Sequence, residues 1–82
     1  MAPSSDRALL TEAYDLEDLG RLRQADRAFA RAAAADPSNW VIRRDWALEL
    51  RREGQSRHAR AQMRRALTLN PKLLPTVAPQ LR

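Results

Sequence analysis

Apolar residues recur along this chain at intervals of three and four, and the run is broken at regular points by Gly, Asp-Pro and Asn-Pro. That pattern predicts four helices. The first is expected from about Asp6 to Leu19, with Ser4 or Ser5 as N-cap, Asp6 against the positive helix end and Gly20 as its stop. The second runs from about Leu22 to Ala35, carries Leu22, Ala25, Phe29, Ala32 and Ala33 inward, and stops at Asp36-Pro37 because a residue before Pro avoids the helical region. Ser38 and Asn39 offer the next cap. The third is expected from about Trp40 to Arg52 or Glu53, presenting Val41, Ala47, Leu48 and Leu50 together with Trp40 and Trp46, and Gly54 ends it. Ser56 is the expected cap of the fourth, which reaches about Leu69 on an apolar stripe of Ala59, Met63, Ala66 and Leu67. Asn70-Pro71 closes it. Beyond, Pro75 and Pro79 allow one turn or two of helix. This tail is expected to lie over the last helix pair through Leu73, Leu74 and Val77, with a disordered linker as the alternative.

Residues 9 to 37 are echoed by residues 43 to 71 at a constant offset of 34. The shift matches Ala13 with Ala47, Leu16 with Leu50, Gly20 with Gly54, Arg23 with Arg57, Ala25 with Ala59, Arg31 with Arg65, Ala32 with Ala66 and Pro37 with Pro71, and sets Phe29 against Met63. A period of that length is a repeat of two helices and their turns. The order Gly20, Ala25, Phe29, Ala32, Pro37 and its copy Gly54, Ala59, Met63, Ala66, Pro71 resembles the tetratricopeptide repeat family. The front of each copy departs from that family's pattern, offering Leu9, Glu12 and Ala13 in one and Arg43, Trp46 and Ala47 in the other. The fold expected from the resemblance is all-α: two tandem helix-turn-helix repeats, an α-solenoid, with a short C-terminal cap. Repeat one covers about residues 6–39, repeat two about 40–73 and the cap 74–82 of a single domain, 1–82.

Composition narrows the chemistry. With 82 residues there is room for one domain of modest stability, and no Cys is present for disulfides or thiolate metal sites. No apolar run approaches the roughly 20 residues of a membrane span, and Met1 to Ser5 lacks the pattern of a secretory signal, so a cytoplasmic location is expected. Fourteen Arg against one Lys, with abundant Ala, reads as a GC-rich and bacterial coding sequence. Charge is segregated: residues 1–20 carry five acids against Arg7, net −4, and residues 51–82 carry eight cations against Glu53, net +7. Three readings of this polarity stay open. Opposite ends of two molecules attract and assemble, the basic end steers an acidic partner, or the charges simply solvate outer faces.

The resemblance implies a concave groove lined by the first helix of each repeat, built to hold a peptide or helix of a partner protein. Its positions here are Leu10, Tyr14, Glu17 and Asp18, and Arg44, Leu48, Arg51 and Arg52. Leu10, Tyr14 and Glu17, and likewise Arg44, Leu48 and Arg51, are spaced as one helical stripe each, and the guanidinium groups of the second set suit carboxylates, so the expected partner is acidic. The alternative is that Glu17 or Asp18 pairs with Arg51 or Arg52. The family's clamp for a terminal carboxylate is not reproduced, since Tyr14 and Leu48 stand where Asn would be needed. No enzyme, cofactor or metal is expected: His58 is a lone His among Arg57 and Arg60, and Asp15, Glu17 and Asp18 lack a His, a Cys or calcium-loop spacing. Nucleic acid is the weaker partner expectation, because six Arg between Arg51 and Arg65 supply phosphate contacts but no aromatic platform accompanies them. Self-assembly, or service as the C-terminal piece of a larger protein, remain alternatives, since about three repeats are usual for independent stability.

Overall fold

The computed structural model describes residues 5–77, of which the side chains of 7–76 are placed. Every regular element among them is helical: α1 (Ser5–Asp18), α2 (Leu22–Ala35), α3 (Trp40–Arg52), α4 (Ser56–Leu69), a 3-10 turn Pro71–Leu73 and a last turn α5 (Leu74–Val77). The chain divides between Pro37 and Ser38 into two compact units. α1 packs on α2 in the first, and α3 on α4 in the second. No helix among the described residues is long and apolar enough to cross a membrane.

The 34-residue period is carried by the backbone. After α1, the Gly20 N–H donates to the Glu17 carbonyl and the Arg21 N–H to that of Leu16, both at 2.9 Å, with Gly20 at φ +75°. After α3, the Gly54 N–H donates to Arg51 at 3.0 Å and the Gln55 N–H to Leu50 at 2.9 Å, with Gly54 at φ +82°. This double closure satisfies carbonyls that a helix end leaves open, and it needs a residue at ease with positive φ. α2 and α4 then end alike, Asp36 donating to Ala32 and Asn70 to Ala66.

In the first unit the interior is Ala13 from α1 against Ala25, Ala28, Phe29, Ala32 and Ala33 from α2. Alanines let the helix axes approach closely, and Phe29 supplies the volume, its ring meeting Tyr14 edge-on at 6.0 Å between centroids. In the second, Ala47, Met63 and Ala66 form a cluster flanked by Trp40, Leu48, Leu67 and Leu73. Trp46 is buried and meets His58 edge-on at 5.2 Å.

Several expectations change. Leu22 is 36 % exposed rather than inward, because it opens α2 and no earlier turn covers it. Ile42, not Val41, is the fully buried residue in the first turn of α3. Ser56 is the first residue of α4, not its cap; Gln55 holds that place with no side-chain hydrogen bond. Ser5 lies inside α1, and Ser4 falls outside the described residues. Asn39 does cap α3, its side-chain oxygen accepting from the Val41 N–H at 3.1 Å. In the tail, Leu73 packs on the second core while Leu74 is half exposed, and residues 78–82 and the Val77 side chain lie outside the described set.

Candidate functional site

α3 sets its two faces by the residues it buries. Ile42, Trp46, Glu49 and Leu50 fall at i, i+4, i+7 and i+8 and turn inward. Arg44, Leu48, Arg51 and Arg52 form a second stripe, turned away from that buried row. Their environments differ. Arg44 lies with its guanidinium carbon 5.1 Å from the centre of the Trp40 ring, and its Nε donates to Asp45 Oδ1 at 3.0 Å. Stack and hydrogen bond together fix the plane of the group while leaving its terminal nitrogens as further donors. Leu48 is half-buried against the second core. Arg52 reaches back to the buried carboxylate of Glu49 at 3.7 Å. Arg51 is exposed, and among the described residues no carboxylate lies within ion-pair distance of it.

The matching stripe of α1 is Leu10, Tyr14, Glu17 and Asp18. Leu10 and Tyr14 are half-buried, Tyr14 being held by its edge contact with Phe29. Glu17 is half-buried and Asp18 exposed.

One cation sits outside these stripes in an unusual position. Arg43 donates through Nη1 to Gln62 Oε1 at 2.8 Å, while its buried Nε finds no acceptor among the described residues. Burial, and secondarily the neighbouring Arg65, push its pKa below the ordinary guanidinium value. Two guanidinium groups are thus neighbours, and among the described residues no carboxylate lies within ion-pair distance of either, an arrangement no periodicity in the sequence announces.

His58 is exposed on α4 beside Arg57, its ring used in the contact with Trp46. An open concavity of about 650 Å³ adjoins it, walled by Gln55, Ser56, Arg57 and Arg60 at the turn into α4. A smaller one of about 200 Å³ on the first unit is walled by Glu12, Gln24, Arg27 and Arg31, with Arg31 donating to Glu12 at 3.2 Å. Sequence reading did not find either hollow; the one signal available was Gly54, which leaves a gap in side-chain cover beside the larger one. Among the described residues no three His, Cys, Asp or Glu side chains gather as a metal would require. In comparison with known proteins, no family model matches this chain and no curated protein does.

Proposed function

We propose that the chain is a protein-interaction module of the tetratricopeptide type, and that Arg44, Leu48, Arg51 and Arg52 on α3 receive an acidic, partly apolar segment of a partner protein. Leu10, Tyr14, Glu17 and Asp18 form the equivalent stripe of α1 in the first unit. What supports the family likeness is the return of the same turn, glycine, small-residue and helix-end geometry after 34 residues. What carries the binding reading is Arg51, an exposed guanidinium without an ion-pair partner among the described residues, on one stripe with Leu48 and the oriented Arg44. A carboxylate accepting from Arg51 gains a charge-assisted pair whose desolvation is small, and Leu48 adds apolar contact beside it.

The experiment is a fluorescence-anisotropy titration with a labelled peptide of alternating Glu and Leu residues. Arg51→Glu is expected to weaken binding roughly ten- to hundredfold, the worth of a hydrogen bond to a charged group, with helical circular dichroism unchanged. Equal affinity in Arg51→Glu and in the doubly changed Arg51→Glu, Arg52→Glu protein would remove the α3 stripe from the proposal. A single-stranded oligonucleotide titrated in parallel separates the nucleic-acid reading, since phosphate-driven affinity collapses with salt.

A further inference from the structure

Two exposed stripes remain that the α3 surface does not use. Ala8, Glu12, Asp15 and Leu19 fall at i, i+4, i+7 and i+11 along α1 and the turn that follows it, and all four are exposed. Arg57, Ala61, Arg64 and Thr68 repeat the same spacing on α4, again all exposed. The first stripe is acidic beside Leu19, which is 67 % exposed; the second is cationic on a helix whose fourteen residues include no acid. Most of this charge has no ion-pair partner among the described residues. Among the described residues no carboxylate lies within ion-pair distance of Arg57 or Arg64, and no cation within that distance of Asp15. Glu12 does pair with Arg31 at 3.2 Å, but both side chains are about half exposed, and such a bridge contributes little.

We infer that the α1 stripe of one copy docks on the α4 stripe of a second copy, joining chains head to tail. The occupant is argued from complementarity in charge and in shape. Arg57 and Arg64 stand about 10.5 Å apart along the helix axis with Ala61 between them, and Glu12 and Asp15 about 4.5 Å apart. The two carboxylates therefore fit the low saddle over Ala61 with a guanidinium on either side. Ala8 opposes no bulk to the approach, and Leu19 and the partly exposed Leu69 at the rim of the basic face give the contact apolar area to cover. The stripes are different surfaces, so the contact is heterologous: each copy in a pair keeps one unused stripe, and assembly closes into a ring or continues.

Light scattering on a sizing column tests this at two protein concentrations. At low salt the apparent mass is expected to rise with concentration above the 9.3 kDa of one chain, and to return to it near 0.5 M NaCl, where the screening length is only about 4 Å. Glu12→Arg with Asp15→Arg, and separately Arg57→Glu with Arg64→Glu, are each expected to give monomers. An equimolar mixture of the two variants is expected to recover a complex, because each supplies the face the other lacks. None of these four residues belongs to the α3 stripe or its α1 counterpart, so peptide binding is expected to persist in both variants and the two readings fail separately. A wild-type monomer at every concentration, association indifferent to salt, or a mixture that stays monomeric would each overturn the inference.

Discussion

Phe29 and Met63 occupy equivalent places in the two hairpins, and both are essentially inaccessible to solvent. Phe29 sits among the buried alanines of its unit and against Tyr14, and Met63 clusters with Ala47 and Ala66; alanines cannot move to fill a void. Truncation is therefore expected to leave a cavity: Phe29→Ala is expected to cost about 3–5 kcal/mol and Met63→Ala about 2–5 kcal/mol in urea unfolding. Losses under about 1 kcal/mol at either place would mean that the side chain is not the wedge the packing makes it. Arg43 gives a change of opposite sign. Its half-buried guanidinium, fixed by Gln62, stands near Arg65, and among the described residues no carboxylate lies within ion-pair distance of it. Arg65→Glu turns a repulsion into an attraction and is expected to raise stability by a few tenths to about 1 kcal/mol, read as an increase in Tm. At this scale the sequence was only partly legible. The small and large positions repeated at 34 residues identified Ala25, Phe29, Ala59 and Met63 as buried. Ile42 was missed because its stripe contains Glu49, a buried carboxylate that breaks the apolar pattern a reader looks for.

Helix ends were easier to place than helix faces, since they depend on a few residues whose backbone preferences are strong. Gly20 and Gly54 stop α1 and α3 through positive φ, and a Cβ at either position meets nothing within 4 Å. Substitution there is a backbone effect alone. Forcing an alanine into the left-handed region costs about 1–2 kcal/mol, offset in part by a less flexible unfolded chain. Gly20→Ala and Gly54→Ala are each expected to lose about 1 kcal/mol, near equally. Strongly unequal losses would show that the two turns are not equivalent. The caps supply a contrast that sequence alone missed. Asn39→Ala removes a real hydrogen bond to the start of α3 and is expected to cost about 1 kcal/mol. Ser56→Ala is expected to be nearly neutral, because the double closure after Gly54 feeds the chain into α4 one residue sooner and leaves Ser56 inside the helix. Ser, Asn and Asp advertise caps by composition, but which of two adjacent candidates serves depends on where the preceding turn releases the chain.

Charge belongs to the molecule as a whole. Residues 1–37 hold seven acids and five Arg, net −2, whereas residues 38–82 hold ten cations and three acids, net +7. That imbalance was legible from sequence by counting, and the helical period alone put Arg44, Leu48 and Arg51 on one line of α3. Which guanidinium groups are already engaged was not legible: Arg44 turns to Asp45 and Trp40 and Arg52 to Glu49, while Arg51 stays exposed, a matter of rotamers and neighbours rather than of spacing. The surplus of cations has a cost for folding. Along α4, Arg57 with Arg60 and Arg60 with Arg64 stand one turn apart with no acid on the helix, and each like-charge pair opposes the helix by a few tenths of a kcal/mol. Salt screens this repulsion more than it weakens ion pairs such as those at Glu12, Asp45 and Glu49, which are short-range contacts. Tm measured at low protein concentration is therefore expected to rise with NaCl by a few degrees, since about 0.5–1 kcal/mol moves a domain of this size by roughly 2–8 °C. Arg57→Glu with Arg64→Glu is expected to start at a higher Tm in low salt and to gain less from added NaCl. That difference separates screening from general salting-out, which would lift both proteins alike. A wild-type Tm that falls with salt would instead mean that attraction dominates the charge balance of the fold.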